Sequence, residues 1–400
     1  MHPLPRLLAL CVALPGLAWA SPAWRVTVPA AEVDRVAVVV SFPLPAGAPR
    51  TGLLQDSKGL PTAALQVDPD GTARFLLPRL AAGQAPVFTL TAVPSEAKVV
   101  ESVTSDRQVN LLVRGVPVLD YWTAEEPLPN DKVPKKFLRS GHIHPVRSPG
   151  GVVITASYPA NHLHHHGIWA PWTKTEFQGR KPDFWNMGDL TGKVEFVALS
   201  RTWSGPVHGG FVAQQRQVDL SAPTPVTALN ETWELTTYDV PDQVPMRIFD
   251  LVITQTCATS DPLILPEYRY GGLGFRGHDQ WNGADQATFL TSEGETDRIK
   301  GNTSRARWVH IGGRIDGATA GLGILGHPDN FRAPQPLRLH PTEPFVCFAP
   351  SQLGEFRIEP GRPYVMRYRF VVTDGPADAA LLEACWQGYA QPAAAAVTEI

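Results

Sequence analysis

Short apolar runs rich in β-branched residues, each closed by proline or glycine, recur along nearly the whole chain and predict strands rather than helices. Residues 33–42 (VDRVAVVVSF) are the clearest, followed by a turn-rich break at 43–49. Residues 53–56, 63–67 and 73–77 predict three more short strands, with Asp70-Gly71 as the hairpin turn between the last two. Residues 86–92 alternate like a strand with one buried face. From about residue 96 the strands become longer and more aromatic: 110–118, 151–156, 192–202, 211–220, 226–238, 246–256, 307–311, 321–325 and 364–372. The 231–239 stretch alternates polar and apolar residues, so one face meets a core and the other is free to line a cleft. One segment reads as a helix. Residues 377–389 (ADAALLEACWQGY) place Leu381, Leu382, Cys385 and Trp386 on one stripe, behind an Asp374-Gly-Pro start.

These elements predict an all-β protein. A small N-terminal β-sandwich is expected over residues 21–95, with Pro94 and Ser95 at the junction. A large antiparallel β-supersandwich with an active-site cleft is expected over 96–400, ending in the single helix. No repeat of 40–50 residues is present, which argues against a β-propeller.

Composition adds a compartment. Arg6, the apolar run Leu7 to Leu17 and the Ala18-Trp19-Ala20 cleavage signal mark residues 1–20 as a secretory signal peptide. That run is too short to span a bilayer, and no later segment reaches 18 apolar residues, so no membrane span is expected. Leu10 is a poor neighbour for lipidation of Cys11. The mature chain is therefore expected to be periplasmic or secreted. It keeps 34 basic against 38 acidic residues, a net charge near −4 without a basic stripe, which argues against nucleic acid as a partner. Cys257, Cys347 and Cys385 form no CxxC pair, which argues against a cysteine zinc site and allows at most one disulfide.

Chemistry concentrates in one place. Of 12 histidines, His142, His144, His162, His164, His165 and His166 fall between Gly141 and Gly167. Imidazole transfers protons near neutral pH and is the commonest metal ligand. On a strand His162, His164 and His166 would share a face; on a helical turn His162, His165 and His166 would. Three further segments carry convergent polar groups. Residues 266–281 hold Glu267, Arg269, Arg276, His278 and Asp279 around four glycines, and 327–336 hold His327, Asn330 and Arg332 between prolines. His142 and His144 alternate onto one face just upstream. Trp169 and Trp172 suit stacking on sugar rings or filling a β core.

Three motifs, HPVRSPGGVV…NHLHHHGIWAPW (144–172), YGGLGFR (270–276) and ARWVHIGG…GLGILGHPDNFRAP (306–334), resemble the bacterial PmoA-like family, often labelled "methane oxygenase". The resemblance runs over roughly residues 25–390. Typical members read Asp-His-x-His-His-Arg-Gly at the histidine motif; here Asn161 stands for the acid and His166 for the basic residue. The oxygenase label implies membrane-spanning helices, which this chain lacks. The expected architecture also resembles the supersandwich of aldose mutarotases, which implies a histidine acid and a glutamate base in a cleft.

The combined expectation is an exported carbohydrate-active enzyme, a hydrolase, lyase or epimerase, acting on a small-molecule or oligosaccharide substrate. His162 and His165 are expected as acid and base, with Glu267 or Glu231 as carboxylate. His144, His164, Trp169, Arg276, His278, Asn330 and Arg332 are expected to hold the sugar. The alternatives are a non-catalytic carbohydrate-binding protein and a metal-dependent hydrolase or oxygenase with a divalent ion at His162, His164 and His165.

Overall fold

The computed structural model describes residues 23–93 and 97–400, so the expected signal peptide, Cys11 and the Pro94–Ser95 junction lie outside the described residues. The described chain is all-β, with three eight-stranded sheets, a two-stranded ribbon and a long helix near the C-terminus.

The first sheet is built from the N-terminal strands. Its order runs Ala393–Ala394, Arg35–Pro43, Thr72–Leu80, Pro61–Val67, Gly52–Gln55, Val87–Ala92, Trp24–Thr27 and Ala396–Glu399. Pro61–Val67 changes partner along its length: residues up to Leu65 pair with Gly52–Gln55, while Gln66 and Val67 pair with Thr72–Leu80. That change folds the sheet over a core of Trp24, Val38, Val40, Phe42, Phe75, Phe88 and Leu90. The last strands of the chain return to both edges of this sheet, which covers backbone groups that would otherwise stand open.

The other two sheets stack face to face. One is ordered Leu337–Leu339, Phe345–Phe348, Leu273–Arg276, Ile168–Trp169, Ile143–Val146, Val116–Trp122, Gln108–Val113 and Val100–Thr104. The other is ordered Gly192–Trp203, His208–Asp219, Val226–Tyr238, Met246–Cys257, Tyr364–Asp374, Ala318–Gly326, Trp308–Ile315 and Ala287–Thr291. Alternation along each strand decides what is shared between them. Ile168, Leu273, Phe275, Val346 and Phe348 face the common core, together with Trp233, Leu235, Phe249, Leu251 and Phe370 from the opposite sheet. Trp169, Phe345 and Cys347 sit one residue out of step and form a separate apolar cluster with Trp185 on the outer side. The candidate site is built over that outer cluster.

The long strands follow the sequence pattern closely, and Val226–Tyr238 matches it end to end. Two expected strands do not hold. Residues 110–118 are two strands, because Arg114 and Gly115 take φ of 53° and 73° and turn the chain into a hairpin. Residues 151–156 make only isolated bridges, Arg147 to Val153 and Thr155 to Gly277. The helix is Ala379–Ala390, capped by the Asp378 side chain rather than by Asp374-Gly-Pro. Its buried Leu382, Cys385 and Gly388 sit against the Arg35–Pro43 strand, where a Cβ on Gly388 would meet the Val36 carbonyl at 2.6 Å. Cys257, Cys347 and Cys385 are free thiols.

Phe370 and Phe249 are fully buried cross-strand partners with ring centroids 4.6 Å apart. Replacing Phe370 with Ala is expected to destabilise the fold by about 3–5 kcal/mol in urea titration. A loss below about 1 kcal/mol would show that the two sheets do not rely on this layer.

Candidate functional site

The histidine segment is neither a strand nor a helical turn. His162 N–H bonds the Pro159 carbonyl at 2.9 Å and His165 N–H bonds the His162 carbonyl at 2.9 Å, so the chain coils through two tight turns before entering the short strand Ile168–Trp169. Gly167 allows that entry: φ is 49°, and a Cβ there would lie 2.1 Å from the Ile143 carbonyl oxygen. The turns send His162, His164 and His165 to the outer face of the sheet and His166 into the interior.

On the outer face His162, His164 and His165 line a pocket of about 170 Å³ with Trp185, Asn186, Arg269, Tyr270, Arg338, His340 and Phe345. His165 is packed between two rings, 4.8 Å from His162 and 5.0 Å from Phe345, both nearly parallel. Burial holds its imidazole well below the usual histidine range, so it is neutral. Burial likewise brings His164 down to about 3 and His340 to about 4. Burial lowers His162 too, with Glu343 partly opposing the shift.

Beneath the pocket lies a buried ion pair. Arg276, at the end of Leu273–Arg276, is fully buried and donates from NH1 to Glu343. Its NH2 donates to Asn161 Oδ1 at 3.0 Å and to Asn282 Oδ1 at 2.7 Å. The Asn161 amide donates in turn to both Glu343 oxygens at 2.7 Å. Asn161 thus accepts from the arginine and donates to the carboxylate, which an aspartate at this position would instead repel. Burial disfavours the Glu343 charge, but the Arg276 hydrogen bond and charge outweigh it, and the carboxyl lies below its ordinary range. His162 Nδ1 lies 3.3 Å from Glu343 Oε2. His340 Nδ1 accepts from the backbone N–H groups of Thr342 and Glu343, at 3.3 and 3.1 Å.

A second cluster lies inward. Glu126, His142 and His166 are buried and offer ligand atoms all within 4.8 Å of one another, a group that could hold a metal ion. His142 Nε2 is 2.9 Å from Glu126 Oε2, and Ser157 bridges Glu126 to His166. His144 borders this cluster, 4.0 Å from Glu126 Oε1, and bonds Thr155 through Nδ1.

Several expected site residues stand elsewhere. Trp169 is fully buried behind His165 and Phe345, so no ligand can stack on it. Glu231 is locked in the inter-sheet core by Gln217, Gln255 and Trp233, and burial raises its carboxyl toward the neutral form. Glu267 is exposed on the loop before Tyr268 and does not line the pocket. Arg276 acts from below the pocket rather than in its lining. His278 caps a short 3-10 turn by accepting from Gln280 N–H. Asn330 and Arg332 bond backbone groups of Arg367, Pro350 and Gly354, which fixes their own loop. His144 belongs with Glu126, and the metal-capable group is Glu126, His142 and His166 rather than His162, His164 and His165. Sequence reasoning passed over Glu343, His340, Arg338 and Glu126. Only the compact His340-Pro-Thr-Glu-Pro344 run carried a signal, and its partner Arg276 lies 67 residues away.

A family model matches residues 108–387. The chain belongs to DUF6807, a family of unknown function. This overturns the PmoA-like resemblance read from the motifs. No curated protein matched the chain. Among solved structures, it is similar to a protein in glycosyl hydrolase family 38 from Enterococcus faecalis, at 10% identity and a TM-score of 0.39 over 96% of this chain and 48% of that one. It is also similar to an alpha-mannosidase from Enterococcus faecalis V583, at 10% identity and a TM-score of 0.42 over 94% of this chain and 46% of that one. The chain spans about half the length of each, and similarity this distant assigns no activity to the DUF6807 chain.

Burial also sets how this DUF6807 chain responds to acid. His208 and His340 have folded pKa values of about 3 and about 4, and His310 of about 4, each lowered first by burial. Unfolded, each titrates near the ordinary histidine value of about 6.5. Their stabilisation is complete above that value and is lost as pH falls toward the folded values, because the unfolded chain then binds more protons. The melting temperature is expected to fall continuously from pH 7 to pH 5. A constant value across that window, measured by calorimetry, would contradict these burials.

Proposed function

We propose that the chain is an exported carbohydrate-active enzyme whose outer-face pocket performs acid/base chemistry on a sugar. One observation carries the reading: two histidines, His162 and His340, line the same pocket with ring centroids 5.8 Å apart. Glu343 is ionised by Arg276 and stands beside His162 Nδ1. It therefore favours a proton on that nitrogen and leaves Nε2 as a free base. His340 already accepts two backbone N–H groups at Nδ1, so its proton sits on Nε2 and is available as a donor. A base and a neutral donor across one small pocket fit proton transfer at a polyhydroxylated carbon, as in lyase, epimerase or hydrolase chemistry. The half-buried Tyr270 supplies an aromatic wall suited to the C–H face of a sugar ring, backed by the buried Trp185 and Phe345. The volume of about 170 Å³ suits a single ring or a chain end. The Arg6, Leu7-to-Leu17 and Ala18-Trp19-Ala20 pattern supports export to the periplasm or beyond.

A second reading is supported by the inner cluster. Glu126, His142 and His166 provide the two-histidine, one-carboxylate donor set that suits zinc or another divalent metal. Bound there, an ion would lie on the opposite side of the sheet from His162 and serve a different site.

His162→Ala is expected to lower kcat/KM on a responsive sugar by about 10²–10⁴-fold. The wild-type profile should fall on the acid side, with its inflection below pH 6.5, because the base is lost once His162 is protonated. Sugar affinity that survives His162→Ala, with no turnover in either protein, would instead mark a binding protein. Elemental analysis of protein purified without chelators separates the metal reading. About one equivalent of a divalent transition metal, lost in the His142→Ala and His166→Ala variants, supports it; metal-free, fully active protein ends it.

A further inference from the structure

The pocket has an unbalanced charge. Arg269 and Arg338 both line it, and no aspartate or glutamate does. Glu343 lies nearby, but its oxygens are taken up by Arg276 and Asn161 below the lining. Among the described residues neither Arg269 nor Arg338 has a carboxylate within 4.0 Å, whereas eighteen other basic side chains, arginines, lysines and histidines, do have one. Arg338 is anchored through NH1 to Asn302 Oδ1 at 3.1 Å and to the Leu339 carbonyl at 3.2 Å. Those bonds fix the guanidinium without neutralising it. Arg269 rests over the rings of Tyr268 and Tyr270, at 5.9 and 5.5 Å, which places it at the pocket rim. Burial and the neighbouring Arg269 charge both disfavour the charge on Arg338. Two like charges on one small, partly buried cavity are unfavourable unless an anion shares the space.

We propose that this pocket binds an acidic sugar, with the substrate carboxylate seated between Arg338 and Arg269. The inference rests on the carbohydrate reading above and narrows it to uronate-type substrates. A planar guanidinium matches a carboxylate in two-point geometry, which orients the ring as well as attracting it. Orientation matters here because the carbon next to a carboxylate is the one whose proton a base such as His162 can remove. Asn186 and Tyr270, joined by a 3.2 Å hydrogen bond, line the same pocket and are placed to meet ring hydroxyls.

Calorimetric titration of the full chain with galacturonate and glucuronate, and with galactose and glucose as uncharged counterparts, tests this. At low salt an acid is expected to bind at least tenfold more tightly than its neutral counterpart, and added sodium chloride should erode the difference. Arg269→Gln, at an exposed side chain, should remove most of the preference without altering the melting temperature. Arg338→Gln should abolish it, and Arg338→Lys should restore part of it, which separates lost charge from lost loop structure. Equal affinity for acid and neutral sugars overturns the acidic-substrate inference and leaves the carbohydrate reading standing. No binding of any of the four sugars, with Arg338-dependent binding of inorganic phosphate or sulfate, overturns both and leaves an anion site of another kind.

Discussion

The Arg276–Glu343 pair is the constraint on which the candidate site depends. Burying two charges is unfavourable unless the remaining hydrogen-bonding groups are met, and here three separate segments meet them. The strand Leu273–Arg276 supplies the guanidinium, the histidine loop supplies Asn161, and the turn before Phe345–Phe348 supplies the carboxylate. Asn282, from the short 3-10 turn after His278, closes the fourth side. Because each segment is tied to the others through this one cluster, His162 and His340 are held at a fixed separation although 178 residues divide them in the chain. The same carboxylate stands 3.3 Å from His162 Nδ1.

A second constraint acts through alternation. The segment 162–166 carries four imidazoles, yet they do not form one site. Gly167 lets the chain drop into Ile168–Trp169 with a left-handed turn, and His165 and His166 leave it on opposite sides. His165 stacks into the outer aromatic cluster of Trp169, Trp185 and Phe345. His166 meets His142 at 4.9 Å between ring centroids and borders Glu126. A density of histidine that looks like one metal or catalytic site in the sequence is therefore two environments divided by a strand: an open one lined with hydrogen-bonding and cationic groups, and a closed one with a carboxylate at its centre. A wider cleft of about 730 Å³ between the first sheet and the outer face of the third also holds charged groups, but there Arg74 pairs with Asp68, Arg201 with Glu234 and Arg369 with Asp250.

What the sequence disclosed follows from which interactions are local. Val226–Tyr238 was legible because buried and open positions alternate along much of a 13-residue strand, and Tyr364–Asp374 because its second half is a continuous buried, mostly apolar run. The sheet that carries the site was largely illegible, since Ile168–Trp169, Leu273–Arg276 and Phe345–Phe348 are two to four residues long, too short for a period to register. The Arg114-Gly115 hairpin was hidden because its first turn residue is an arginine at positive φ rather than asparagine or aspartate. Of the expected site residues, His162, His164 and His165 meet in the pocket because they share one loop. The missed partners, Glu343, His340 and Arg338, arrive from distant sequence through pairing of Phe345–Phe348 with Leu273–Arg276, a register no local pattern announces.

The choice of carboxylate shows why residue type alone misleads. Glu231, Glu267 and Glu343 are the same side chain in three dielectric settings. Glu267 sits in solvent, where it has no fixed partner among the pocket groups. Glu231 is buried among neutral amides and an indole, which donate hydrogen bonds to it but carry no positive charge, so burial raises its pKa and it serves the core as a polar brace. Glu343 is also shielded, yet it touches a guanidinium, so it keeps its charge at the edge of a cavity and can act on a neighbouring imidazole. A carboxylate able to orient a base must be both shielded enough for its field to be felt and paired strongly enough to stay ionised. Of these three, Glu343 alone satisfies both conditions, and it does so only because Arg276 and Asn161 reach it from elsewhere in the chain.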